Sequence, residues 1–211
     1  MKKILLLCSV FIMIVSTVQA QGTRYGFKFG LAATSINDLS FDLVNVNGGA
    51  VAASPGENED SRIAVTTGFF AEFQLSENLK FQPEFLFTSL GNKGEFFKYD
   101  ELQLPLAIKY ELNNLYVLAG PQASVKVSFF EQSEDYKSID FSAFGGVGYF
   151  FDENIFVEAR YTLGFSEIFE DDAEIPIRIQ QPNTNEVNQD TRYQNLSGKN
   201  TYFSFVVGYR L

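Results

Sequence analysis

Between Glu101 and Val127 the chain reads ELQLPLAIKYELNNLYVLAGPQASVKV, and from Leu102 to Leu112 every second residue is apolar while Glu101, Gln103, Lys109 and Glu111 fall on the other phase. A period of two marks a strand with two unlike faces. Asn113-Asn114, a pair suited to the positive φ of a tight turn, interrupts the pattern, which resumes as Leu115, Val117, Ala119, Pro121, Ala123, Val125 and Val127. The stretch therefore predicts one long β-hairpin. Each arm is about twice the length of an ordinary globular strand, and its apolar face carries no charge. Such a face suits lipid better than water.

The same alternation recurs on both sides. It runs from Arg24 to about Ala33, from Arg62 to Leu75, from Leu79 to Ser89, from Phe141 to Phe151, from Ile155 to Ser166 and from Thr201 to Leu211. Ser76-Glu77-Asn78, Asn113-Asn114 and Asp152-Glu153-Asn154 are short connections, whereas 37–61, 91–98, 129–138 and 167–199 are expected to be polar loops. Eight strands whose connections alternate long and short put all the short turns at one rim. The expected fold is all-β, an eight-stranded antiparallel up-and-down transmembrane β-barrel. About 12 residues at 3.3 Å each, tilted by about 40°, rise roughly 30 Å, enough to cross an apolar band of ~25 Å.

The charged phase decides which face points outward. It holds Gly26, Gly30, Gly68, Gly120, Gly146, Gly148, Gly164 and Gly208, interleaved with nearly balanced acids and bases, while the apolar phase carries no charge. Small residues among balanced charges fit a crowded lumen. Pro83, Pro105 and Pro121 fall within strands that have no free edge, so local bulges are expected there.

Residues 1–20, with Lys2 and Lys3, an apolar core from Ile4 to Val15 and the small-residue pattern Val18-Gln19-Ala20, are expected to be a cleaved secretory signal, leaving 21–211 as the barrel domain. Cys8 lies inside that core, and the chain has no histidine. Disulfides and imidazole chemistry are thus excluded from the mature protein. The full chain has a net charge of −10, and loss of the two signal lysines makes the mature chain more negative still. Nucleic acid is not expected as a partner.

The phrases LQLPLAIKY (Leu102 to Tyr110), LYVLAGPQAS (Leu115 to Ser124), GGVGYFF (Gly145 to Phe151), VEARYTLGFS (Val157 to Ser166) and the closing VVGYRL resemble the PorT-like outer-membrane β-barrel domain family of Bacteroidota. The resemblance covers nearly all of the mature chain. It implies an eight-stranded barrel of OmpX or OmpA shape in the Gram-negative outer membrane. The family's namesake is tied to type IX protein secretion, but the long acidic segment 167–199 lies outside the shared phrases, so that role is not carried over.

No catalytic residue, cofactor or metal ligand is assigned. Glu72, Glu84 and Glu158 share the inward phase with Lys80, Lys109 and Arg160, and they are read as a structural charge network in which Arg160, with Lys109 as second base, ties the three glutamates into a plug. The short turns align Arg160 with Gly146 and Glu158 with Gly148, leaving the long side chains room to cross the lumen. Asp171-Asp172-Ala173-Glu174 and Glu57-Asn58-Glu59-Asp60 lack EF-hand spacing and are read as solvated acidic loops. Tyr25, Tyr110, Tyr149, Tyr161 and Tyr209 on the outward phase are candidates for interfacial girdles.

The expected function is non-enzymatic. A monomeric barrel among outer-membrane lipids is expected to display its acidic loops to a protein partner or to the cell surroundings. Two other readings are a narrow channel for ions or small solutes, and a soluble periplasmic barrel with its faces reversed around an apolar ligand. The four long connections hold sixteen acids against six bases. That rim is expected to be extracellular, with both termini in the periplasm and with protease cutting within 167–199 on intact cells.

Overall fold

The computed structural model describes residues 22–45, 49–50, 61–93, 98–127, 135–180 and 187–211. The expected signal segment and Glu57-Asn58-Glu59-Asp60 lie outside them. Ten strands follow in chain order: β1 (Arg24–Asn45), β2 (Gly49–Ala50), β3 (Arg62–Gln74), β4 (Leu79–Gly91), β5 (Lys98–Leu112), β6 (Leu115–Lys126), β7 (Ile139–Phe150), β8 (Ile155–Gly164), β9 (Ile175–Gln180) and β10 (Val187–Arg210). Each barrel strand pairs antiparallel with its neighbours, and β1 pairs with both β3 and β10. The sheet therefore closes into an eight-stranded barrel, and β2 and β9 attach to the far ends of β1 and β10.

The short turns form as their residues dictate. Leu112 pairs with Leu115 around Asn113, whose φ of 56° is the left-handed conformation the turn requires. Asp152 Oδ1 accepts from the backbone N–H groups of Asn154 (2.8 Å) and Ile155 (2.7 Å), and those two donors hold its carboxyl below the usual range.

Three expectations need correction. The segments 37–61 and 167–199 are not wholly loops, because β1 continues to Asn45, β9 spans Ile175–Gln180 and β10 begins at Val187. The pairing of β1 with β10 runs past the rim to Asn45↔Thr191, through register shifts between Asn37 and Asp42. Asp38 (φ 54°) and Asn195 (φ 51°) sit at this irregularity. An extra residue there moves later side chains to the opposite phase, so an unbroken period-two count ends where the strand does not.

The second correction concerns the prolines, which produce no bulge. Pairing lapses between Phe70↔Glu84 and Phe73↔Phe81, between Pro83↔Leu106 and Leu86↔Gln103, and between Pro105↔Gln122 and Ile108↔Ala119, yet the register is the same on both sides of each lapse. A missing N–H removes a ladder bond without inserting a residue. Pro83, Pro105 and Pro121 thus mark a diagonal row of weakened pairing across β3 to β6.

Third, the reversed-face reading is overturned. Phe29, Phe69, Phe85, Leu104, Val117, Phe141, Tyr161 and Phe205 are exposed on the outer wall, while Lys28, Glu72, Glu84, Lys109, Glu158 and Arg160 are buried inside. Closure satisfies the backbone and leaves an apolar belt, as hydrocarbon demands. Of the five outward tyrosines, Tyr25, Tyr110, Tyr149 and Tyr209 gather toward the short-turn rim, and Tyr161 lies farther up β8.

Candidate functional site

The inward glycines make room for rings. A Cβ on Gly26 would lie 2.3 Å from Phe70 Cζ, on Gly148 2.0 Å from Tyr116 Cζ and on Gly208 2.1 Å from Phe156 Cζ. Gly148 faces Glu158 in register, but its space is taken by Tyr116. With Phe144 and Phe150 these rings form a buried cluster in the lumen. Tyr116 and Phe150 are 5.2 Å apart, and Phe70 and Phe156 are 5.6 Å apart edge to face.

The charged side chains assemble into two groups around that cluster. In the first, Arg160 donates Nη1 to Glu84 Oε2 (3.1 Å) and Nη2 to Glu84 Oε1 (2.9 Å) and Glu158 Oε1 (2.8 Å). Lys28 Nζ joins the same carboxylates, at 3.0 Å from Glu84 and 2.9 Å from Glu158. Tyr116 Oη donates to Glu158 at 3.0 Å. Two bases and two acids close a neutral ring. The second group holds Lys109 bonded to Glu72, Lys80 at 2.7 Å from Glu111 and 3.7 Å from Glu72, and Arg210 at 3.4 Å from both glutamates.

Every one of the six residues expected in the network is inside the lumen. The structure brings Arg160 to Glu84 and Glu158 but places Lys109 with Glu72, so the bases divide the acids between them. Rings bridge the groups: Lys109 Nζ lies 4.1 Å from the Tyr116 centroid, and the Arg160 guanidinium lies 4.2 Å from that of Phe144. Lys28, Glu111, Arg210 and Tyr116 were missed. Their inward phase was readable, but the partners of Lys28 lie 56 and 130 residues away, across connections whose stagger is not written in the alternation.

Above the charges runs a neutral layer. Thr66 and Thr88 hydroxyls meet at 2.8 Å, Thr88 and Tyr202 both donate to Gln103 Oε1, and Gln122 Nε2 donates to Tyr202 Oη at 2.9 Å. A cavity beside Lys28, Gln103, Arg160 and Tyr202 has room for about one water. The mouth is roofed by an apolar cap in which Tyr136 lies 5.0 Å from both Tyr99 and Phe169, with Ile36, Leu90 and Leu196 packed around them. Leu39, Phe41 and Tyr193, from the extended ends of β1 and β10, cover its outer side. In the acidic segment, Glu174 is occupied by Arg192 (2.7 Å) and Gln194 (2.7 Å), and Asp171 faces Lys137 at 3.4 Å. Among the described residues no three acidic, histidine or cysteine side chains converge as a metal centre.

The family model described as outer membrane protein β-barrel domain matches residues 19–170. No curated protein matches the sequence. Among solved structures, Neisserial surface protein A is similar at 13% identity, with 90% of this chain and 99% of that one covered and a TM-score of 0.44. OprG from Pseudomonas aeruginosa is similar at 13% identity, covering 90% and 96%, with a TM-score of 0.42. Ail of Yersinia pestis is similar at 12% identity, covering 90% and 100%, with a TM-score of 0.43.

Proposed function

The chain belongs to the outer membrane protein β-barrel domain family, and from that premise we propose that it is a closed, non-enzymatic, monomeric barrel whose working surface is the ribbon and acidic connections beyond its rim. The observation that carries this reading is the filled lumen. Two ionic groups, a ring cluster, a neutral layer and an apolar cap fill the barrel, so among the described residues the interior offers no continuous path to a solute. What remains for function is the extension of β1 and β10 with β2 and β9, presented to a protein partner. The phrases shared with PorT-like barrels support placing the chain among them.

Purified protein in a planar bilayer is expected to show no stable open conductance. A steady, large conductance would replace this reading with that of a channel.

The excess of acids over bases in the long connections supports an extracellular position for that rim and periplasmic termini. Asp171, whose side chain is 98% exposed, and Glu153 in a short turn mark the two rims. Asp171→Cys is expected to react with a membrane-impermeant maleimide on intact cells, and Glu153→Cys only after the outer membrane is broken. The opposite pattern would invert the orientation.

A further inference from the structure

In the lower lumen Lys28, Lys80, Lys109, Arg160 and Arg210 meet Glu72, Glu84, Glu111 and Glu158, whereas under the cap two buried acids have no base bonded to them among the described residues. Glu72, Glu84, Glu111 and Glu158 each have a base within 4 Å. Glu101 and Asp140 are 2% and 5% exposed, and no base pairs with either among the described residues. Glu101 accepts from Gln103 Nε2 at 3.2 Å, and Asp140 Oδ1 accepts from the Ser166 hydroxyl. Lys126, opposite Glu101 in register, sends its ammonium to the Tyr136 carbonyl at 2.7 Å.

Register places the two acids together. On the inward face Gln103 is opposite Ser124, and Ser124 is opposite Asp140. Glu101 is the next inward residue beyond Gln103, so the two carboxylates lie on either side of Ser124, near enough for the charge of Asp140 to bear on Glu101. Three further buried oxygens on this patch have no hydrogen-bond partner among the described residues: Tyr99 Oη, Gln122 Oε1 and Ser142 Oγ. Tyr99 is one inward step from Glu101, Ser142 one from Asp140, and Gln122 lies opposite Ser142.

Two buried carboxylates left uncompensated are costly. Every unmatched group here offers oxygen, and two carboxylates supply the charge that a divalent cation would balance. Carboxylate, amide and hydroxyl oxygens without nitrogen or sulfur select a hard cation, and Ca²⁺ accepts an irregular set of 6–8 such ligands more readily than Mg²⁺. The geometry points to a Ca²⁺ site under the barrel's cap, held by Glu101 and Asp140 with Gln122, Ser142 and Tyr99 completing or orienting its shell. It is distinct from the acidic segment at 171–174, where Glu174 and Asp171 face bases.

The test uses the full mature protein in detergent, stripped with a chelator and then titrated with CaCl₂, MgCl₂ or NaCl at matched ionic strength. Calorimetric titration is expected to report one Ca²⁺ per chain, and Ca²⁺ is expected to raise the unfolding temperature by several degrees more than Mg²⁺. Glu101→Gln/Asp140→Asn should abolish both effects, while Asp171→Asn/Asp172→Asn should keep them. If the first variant does not fold, the stoichiometry of the unmutated chain and of the second variant still decides the matter. An absence of Ca²⁺ binding at millimolar concentration, with stability that instead rises as pH falls, would overturn the proposal and show that the two acids share a proton. Loss of binding in the Asp171→Asn/Asp172→Asn variant would also overturn it, by moving the site to the outer segment.

Discussion

Arg160→Leu is expected to lower the stability of the folded barrel by about 3–5 kcal/mol, the range seen when one partner of a buried ionic group is removed. Its guanidinium makes three of the hydrogen bonds that hold Glu84 and Glu158 together and covers the Phe144 ring. Without it, Lys28 is the one base still paired with the two buried carboxylates among the described residues, and leucine offers neither of them a donor. The loss is read as a fall in the midpoint of urea or heat unfolding in detergent. Adding Glu158→Gln to Arg160→Leu restores the balance of one base to one acid and should recover part of the loss. An unchanged midpoint in the single variant would show that the ring of charges does not hold the wall.

A larger effect is expected from Gly30→Val or Gly68→Val, which should not reach the folded state. A Cβ at Gly30 would lie 2.0 Å from the Phe205 carbonyl oxygen, and one at Gly68 would lie 2.1 Å from that of Phe85. Both obstacles are backbone of a neighbouring strand, which moves only if the barrel wall moves with it. Gly145 supplies the control: a Cβ there meets nothing within 4 Å, so Gly145→Ala should fold normally. The readout is the heat-dependent shift of the folded band on a gel. A folded Gly30→Val barrel would mean that the close approach at β1 and β10 is not required.

What the sequence made legible follows from period two. Wherever alternation is unbroken, as from Leu79 to Phe85 or Leu115 to Val127, strand position, turn register and the lipid face could be read residue by residue. The pattern failed at Asp38 and Asn195, where a shift of phase hides a continuing strand behind what looks like its end. The network was legible in part, because phase says which residues point inward but not how strands on either side of a long connection are staggered. Arg160 opposite Gly146 was readable across a short turn; Lys28 beside Glu158 was not. Counting charges and glycines on the inward phase also passed over Phe70, Tyr116 and Phe156, whose rings fill the gaps those glycines leave.

The pairing of β1 with β10 has a consequence for how the molecule can be assembled. Hairpins such as β5–β6 bring together residues close in the chain, but Gly26↔Arg210 joins its two ends, so the closing contact carries the greatest loop-closure entropy and requires the entire chain. A chain interrupted before β10 would keep its local hairpins yet present two bare strand edges to hydrocarbon, where unpaired backbone groups each cost several kcal/mol. No stable half-barrel is available on that route. The extended β1–β10 ribbon adds pairs to this closing seam beyond the rim, and each pair formed there holds the two ends of the chain in register where the wall closes.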